Sequence, residues 1–152
     1  MNPFNPKSVL LAKHAQHVVL IHFPIALFLI GTGFDVAARW MRRAANFPGL
    51  AAAARLNLLA AAVFAWPTLA TGIVAWRWQL EGEKLQGLLL LHLCLGSLAA
   101  ILISIVAWLH LRKPDASRLQ ISRYSLGLEI ITCLVIALTA HIGGYLSGVN
   151  IG

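Results

Sequence analysis

Histidine is the residue type in this sequence with the clearest capacity for chemistry. The chain has six histidines in 152 residues, and four of them are candidates for a site within the apolar stretches: His17, His22, His92 and His141. Histidine is costly in hydrocarbon, so its presence there usually marks a site. An imidazole can ligate haem iron, and it also suits zinc, copper and non-haem iron.

Three of these histidines lie at a similar depth within the apolar stretches. At a helical rise of 1.5 Å per residue, His22, His92 and His141 each lie roughly 8–10 Å from one common membrane surface, and His17 lies about one and a half turns nearer to it. Three helices therefore bring a histidine to one layer. We expect His22 and His92 to be the axial ligands of one haem b, with His141 or His17 hydrogen-bonding or ligating a second centre.

Small residues accompany these histidines. Gly96 follows His92 by four residues, on the same helix face, while Gly143 and Gly144 follow His141. Small side chains leave room for a flat macrocycle. They also let membrane helices pack closely, and histidine can hydrogen-bond between helices without any metal. Two alternatives therefore stay open, a cofactor-free structural or assembly subunit and a non-haem site for Fe, Cu or Zn.

The non-haem alternative uses the same four histidines as ligands: His17, His22, His92 and His141. The sequence has no methionine-rich or cysteine ligand set, which disfavours copper transport. Cys94 and Cys133 lie in apolar stretches without a CxxC or CxxCH motif, so we expect both to be buried among apolar groups. Motifs of hydrolases and ATPases are missing as well. An electron carrier or complex subunit is therefore expected rather than a stand-alone enzyme.

The elements that position the histidines are four predicted membrane spans. Hydrophobic residues make up 59% of the chain and charged residues 11%, against about 25% charged residues in soluble domains. A spanning helix needs about 20 apolar residues. Four stretches qualify: residues 15–36, 56–76, 86–109 and 124–146. Their short connections predict an all-α, up-down four-helix bundle, a single transmembrane domain over residues 1–152. The first span is longer than a signal-peptide core and lacks a cleavage site, so we expect it to be retained.

Basic residues predict how the bundle is oriented. The formal net charge is +7, from 12 Lys and Arg against 5 Asp and Glu. Eight basic residues lie in the first and third connections: Arg39, Arg42, Arg43, Arg55, Arg112, Lys113, Arg118 and Arg123. Four lie elsewhere: Lys7, Lys13, Arg77 and Lys84. The positive-inside rule then places both termini outside the cytoplasm. Tryptophans flank both predicted interfaces: Trp40 and Trp108 inside, Trp76 and Trp78 outside. A nucleic-acid partner is not expected, because no continuous basic stripe exists.

Two carboxylates and two prolines also lie inside the predicted spans. Asp35 is four residues before Arg39, a spacing that favours an ion pair. Glu129 lies about five residues into the fourth span, where it could relay protons or pair with an arginine of a connection. Pro24 removes a helical hydrogen bond to the carbonyl of residue 20, and Pro67 does the same for residue 63.

Several motifs resemble the bacterial membrane family called domain of unknown function 2231. They are HVVLIHFPIAL at residues 17–27 with Asp35 in the same span, TGIVAW at residues 71–76, the single His92 of the third span, and HIGGYLSGV at residues 141–149. The resemblance covers nearly the whole chain. It departs at Val18, because members usually have proline directly after the first histidine.

The resemblance implies four spans in a bacterial inner membrane. Relatives are fused to cytochrome c-like or Rieske-type domains, and this association implies electron transfer. Taken together, we expect a membrane b-type haem protein whose haem lies near the periplasmic side. Its expected partners are lipid, other membrane or periplasmic redox subunits, and quinone.

Overall fold

A computed structural model describes residues 15–41, 48–79, 84–112 and 123–147, and its regular structure is entirely helical within these ranges. The helices are α1 (Ala15–Trp40), α2 (Pro48–Gln79), α3 (Gly87–Leu111) and α4 (Arg123–Leu146). All four are long and apolar enough to cross a membrane. The predicted all-α membrane bundle is confirmed.

The four helices pack in a ring that follows chain order. The most extensive contact is α1 with α2, followed by α3 with α4 and α2 with α3, and α4 also contacts α1. Short connections make successive helices antiparallel. In this arrangement α1 and α3 lie diagonally across the bundle from each other, as do α2 and α4. Side chains from α1 and α3 can therefore approach each other from opposite sides of the interior.

Helix α2 is longer than the predicted span of residues 56–76. It begins at Pro48, and its 32 residues correspond to about 48 Å, more than the roughly 30 Å hydrocarbon core requires. Proline is favoured at a first helical position, and the alanines of residues 51–54 propagate the helix. Hydropathy marks only the apolar part of such a helix. Arg55, which was assigned to the first connection, consequently lies within α2.

The outside of the bundle is apolar, as expected for a surface that faces lipid. Val63, Leu56 and Leu134 are 70%, 67% and 66% exposed. The small buried core is formed by residues from every helix, among them Phe28, Leu58, Ala61, Ala65, Ile103, Val106 and Ile136. Cys133 packs against this core. Cys94 is exposed on the outer surface instead, so it would be surrounded by lipid rather than by protein.

Close approach of α1 and α2 depends on Gly31. A Cβ atom at Gly31 would lie 2.9 Å from Cγ of Leu58, whereas a Cβ at Gly33 would meet nothing within 4 Å. Nearer the start of α1, the rings of Phe23 and Phe64 stack with centroids 5.0 Å apart. Small residues commonly occupy the interfaces of membrane helices because they let backbones approach. The α1–α2 pair is therefore a tightly packed unit.

Polar residues divide the bundle into two different ends. The end at which α1 and α3 begin carries His17 and His92, and it is called the histidine end here. The opposite end is called the acidic end. It contains every buried polar or charged residue found in the described part of the chain: Thr32, Asp35, His110, Ser125, Glu129 and Thr132.

Candidate cofactor site

His17 is held by a backbone carbonyl of the neighbouring helix. Its half-buried ring places Nδ1 3.1 Å from the carbonyl oxygen of Thr68 and 3.4 Å from Oγ1 of Thr71. A carbonyl can only accept, so Nδ1 carries the proton and donates it. The lone pair is then on Nε2, which has no hydrogen-bond partner among the described residues. His17 is thus oriented as a ligand.

His92 is held in the same way by the other helical hairpin. Its Nδ1 lies 3.1 Å from the carbonyl oxygen of Thr139 in α4. By the same reasoning Nδ1 donates and Nε2 keeps its lone pair. His92 is near the start of α3 and His17 is near the start of α1, so both lie at the histidine end of the bundle. Two imidazoles with the same hydrogen-bonding arrangement therefore lie at one end of the bundle, on diagonally opposite helices.

A glycine lies against each of these rings. A Cβ at Gly72 would lie 2.9 Å from Cε1 of His17, and a Cβ at Gly143 would lie 2.8 Å from Cε1 of His92. Each glycine follows the threonine whose carbonyl accepts the hydrogen bond, Thr68 or Thr139, by four residues and so lies on the same helix face. The α1–α2 and α3–α4 hairpins therefore share one arrangement, in which a threonine carbonyl and a glycine of the second helix contact a histidine of the first helix.

Thr68 also connects the site to the proline of α1. Proline at position 24 cannot donate to the carbonyl of Leu20. The hydroxyl of Thr68 lies 3.2 Å from that carbonyl oxygen and 2.8 Å from the carbonyl oxygen of Phe64 in its own helix. The Thr68 hydroxyl thus lies within hydrogen-bond distance of the carbonyl that Pro24 frees, while the Thr68 carbonyl accepts from His17. This geometry fixes α1 on α2 next to the ring.

The structure places the other two predicted ligands away from this pair. His22 is exposed, and its Nδ1 lies 2.7 Å from the carbonyl oxygen of Val18 in its own helix. His141 is also exposed. Five residues separate His17 from His22, which rotates the side chain by about 140° around the helix. His141 lies between Thr139 and Gly143 in sequence, so it points to the opposite side of α4. The half-buried position of His92 and its hydrogen bond to a neighbouring helix are therefore matched by His17 and not by His22.

The predicted small residues have different surroundings. Gly143 contacts the His92 ring, as described. Gly144 has open space at its Cβ position, and a Cβ at Gly96 would meet only a methyl group of Thr139 at 3.9 Å. Gly96 therefore lies at the α3–α4 contact, and Gly144 makes no comparable approach to a ring.

From the sequence, residues 66–72, which contain Thr68 and Gly72, form a kinked small-residue segment suited to close packing or a ligand, but nothing distinguishes Thr139. Their common signal is a threonine followed four residues later by a glycine, in TLATG at residues 68–72 and TAHIG at residues 139–143. Each instance faces the histidine of the preceding helix. The pattern is weak when taken alone, because it becomes meaningful only when the two hairpins are known to be paired.

The number of ligands distinguishes between candidate cofactors. Histidine ligands commonly donate the second ring nitrogen to a backbone carbonyl, as both rings do here. A porphyrin supplies four nitrogens, so a six-coordinate haem iron needs two protein ligands. A structural zinc site needs four. In the described residues, the one group of three or more clustered His, Cys, Asp or Glu ligands lies at the acidic end. Two histidines would thus suffice as the protein ligands of a haem iron, but they are too few for a structural zinc site.

The acidic end contains a second buried constellation. Nε2 of His110 lies 3.0 Å from Oε1 of Glu129, and Nε of Arg39 lies 4.0 Å from Oδ2 of Asp35. The predicted Asp35–Arg39 pair is thus observed. Glu129 pairs with a histidine of α3 rather than with an arginine of a connection.

Comparison with known proteins supports the resemblance seen in the sequence. Residues 13–150 match the family described as "Predicted membrane protein (DUF2231)". No curated protein matches, and no solved structure matches. Assignment of an activity must therefore come from the residues themselves.

Proposed function

Because the chain belongs to the DUF2231 family of membrane proteins, whose description names no activity, we propose a function from its own geometry: it binds one haem b between His17 and His92 and transfers single electrons. The observation that carries this proposal is the pair of histidines on diagonal helices. Each donates Nδ1–H to a threonine carbonyl, at 3.1 Å in both cases.

Two histidine ligands would favour electron transfer over catalysis on a bound substrate. With His17 and His92 as its protein ligands, a bound haem would have no position left for a substrate and would supply one-electron redox chemistry. The role of the protein is then to hold the rings and to set the potential. The two carbonyl hydrogen bonds make each imidazole a stronger donor, which favours the ferric state. His17 and His92 are the ligating residues, and Thr68 and Thr139 are positioning residues.

The position of the site favours exchange with partners at one membrane surface. His17 is the third residue of α1, and His92 is the sixth residue of α3. Both rings are therefore within about 8 Å of a helix terminus. A quinone in the bilayer or a redox subunit docked at this end would approach the haem closely. The short connections leave little surface for independent chemistry, so we propose a subunit of a larger redox complex.

We expect the purified protein to be a haem protein. After expression with adequate haem and purification in detergent, it should show a Soret band and, on reduction, the sharp α and β bands of six-coordinate b-type haem. Pyridine haemochromogen analysis should give one haem per chain, and carbon monoxide should not bind the reduced form because no coordination position is open.

The same measurement distinguishes the alternatives. Folded protein that lacks a Soret band after haem reconstitution would contradict the proposal. Bound Fe, Cu or Zn without a haem spectrum would indicate a non-haem metal protein. A stable membrane complex that contains neither haem nor a bound metal ion would indicate a structural or assembly subunit.

Orientation is proposed from the distribution of basic residues. Eight of the 12 Lys and Arg lie at or near the acidic end of the bundle in sequence, so this end is assigned to the cytoplasm of a bacterial inner membrane and the histidine end to the periplasm. Alkaline phosphatase fused to the C terminus should be active, and phosphatase fused after Arg43 should be inactive. The reverse pattern would place the histidine end in the cytoplasm.

A further inference from the structure

Three helices bring ionisable groups together at the acidic end. Asp35 of α1, His110 of α3 and Glu129 of α4 each offer one ligand atom, and these atoms all lie within 4.8 Å of one another. Asp35 and Glu129 are 0% exposed and His110 is 1% exposed. The proposed haem ligands are at the other end, so this constellation shares no residue with them.

One buried carboxylate oxygen of this constellation is left unsatisfied by the residues that the structure describes. Oε1 of Glu129 is bonded to His110, but Oε2 is buried and has no hydrogen-bond partner among the described residues. A buried carboxylate oxygen without a partner is costly. Two carboxylates at this separation also repel each other when both are ionised, because a buried site has a low dielectric. The arrangement is therefore suited to a cation placed between the carboxylates.

We propose that Asp35, His110 and Glu129 bind a divalent transition-metal ion such as Mn²⁺ or Fe²⁺. Two carboxylates and one imidazole form the mixed oxygen and nitrogen ligand set that suits these ions. At metal–ligand distances of about 2.0–2.2 Å, ligand atoms lie roughly 3–4.3 Å apart. The present separation of up to 4.8 Å therefore closes with small side-chain movements. Binding of the ion would release the proton shared by His110 and Glu129 to solvent, and the unpartnered Oε2 of Glu129 would be available as a ligand.

Surrounding groups complete the site. Arg39 approaches Asp35 on the same helix, which orients the carboxylate as a partner behind a metal ligand does. Ser125 precedes Glu129 by one turn of α4, and its buried Oγ has no hydrogen-bond partner among the described residues. Asp35 lies five residues before the end of α1, and Glu129 lies six residues after the start of α4. The site is thus within about 9 Å of the helix termini.

Electron paramagnetic resonance of Mn²⁺ tests this site directly, because bound Mn²⁺ loses the sharp six-line signal of the free aqueous ion. Titration of the detergent-solubilised protein should show one Mn²⁺ bound per chain. Glu129→Gln and His110→Asn should each weaken binding by at least about tenfold, since each removes a ligand. The control for His110→Asn is His141→Asn, which should bind as the wild type does, and the control for Glu129→Gln is the wild-type protein. Circular dichroism and size-exclusion chromatography should show that each variant is folded.

The proposal is overturned if folded wild-type protein binds no Mn²⁺, or if both ligand variants bind as tightly as their controls. If one of the two ligand variants does not fold, the Mn²⁺ affinity of the other variant tests the proposal. The same titration of His92→Ala separates this site from the proposed haem site. Mn²⁺ binding should persist in that variant whether or not the wild type carries haem.

Discussion

His17→Ala and His92→Ala should each remove the Soret band from the purified protein, whereas His22→Ala and His141→Ala should retain it. Each of the first two substitutions deletes a proposed axial ligand whose tautomer is fixed by a threonine carbonyl. His22 instead bonds within its own helix, and His141 is exposed. Loss of a ligand should lower the haem content at least about tenfold, as measured by pyridine haemochromogen analysis.

These four variants form a matched set, because each is the same change from histidine to alanine within a membrane helix. Added imidazole should restore a six-coordinate spectrum to His92→Ala, a rescue that a purely structural role would not give. If His22→Ala loses haem and His17→Ala keeps it, the axial pair is His22 and His92. If all four variants keep the wild-type spectrum, the histidines of these helices do not ligate haem.

Gly143→Ala should disturb the proposed haem site far more than Gly144→Ala does, although the two glycines are adjacent in α4. A methyl group at Gly143 would lie 2.8 Å from Cε1 of His92, while one at Gly144 would meet nothing within 4 Å. The crowded ring must rotate, and it then loses its hydrogen bond to the Thr139 carbonyl. We expect a fall in haem content on the order of tenfold, which is the usual scale for loss of a ligand-orienting contact.

The haem that remains in Gly143→Ala should also have a higher midpoint potential. The imidazole is a weaker donor without its carbonyl partner, so the ferric state is less stabilised. Potentiometric titration measures this change against Gly144→Ala, which should match the wild type. Gly72→Ala should act on His17 in the same way, because its Cβ would lie 2.9 Å from that ring. Equal potentials and haem contents in Gly143→Ala and Gly144→Ala would contradict the assigned orientation of His92.

Most of the fold could be predicted from the sequence because apolar length is a local property. Four stretches of about 20 apolar residues require four spans, and their short connections require antiparallel neighbours. The start of α2 was the exception. Hydropathy reports where lipid contact is favourable, but Pro48 and the following alanines set where the helix begins.

The cluster at the acidic end could not be predicted from the sequence, although two of its residues could be recognised there. Asp35 and Glu129 were each identified as polar residues inside a span, and their local partners were considered. Their approach to His110 joins residues that are 75 and 19 positions away in the chain. No local pattern encodes such a contact. It exists because α1, α3 and α4 meet at this end of the bundle.

The sequence by itself determined how deep each histidine lies along its span. The tertiary structure decided whether each ring faces the interior of the bundle or the outside. Position along a span follows from counting residues at a fixed helical rise, which placed several rings near one membrane surface. Which ring faces the interior depends on how each helix is rotated about its axis, and packing sets that rotation. The stacking of Phe23 on Phe64 and the bond from Thr68 to the Leu20 carbonyl hold α1 against α2. In that orientation His17 lies over Gly72, and His22 lies on the outside.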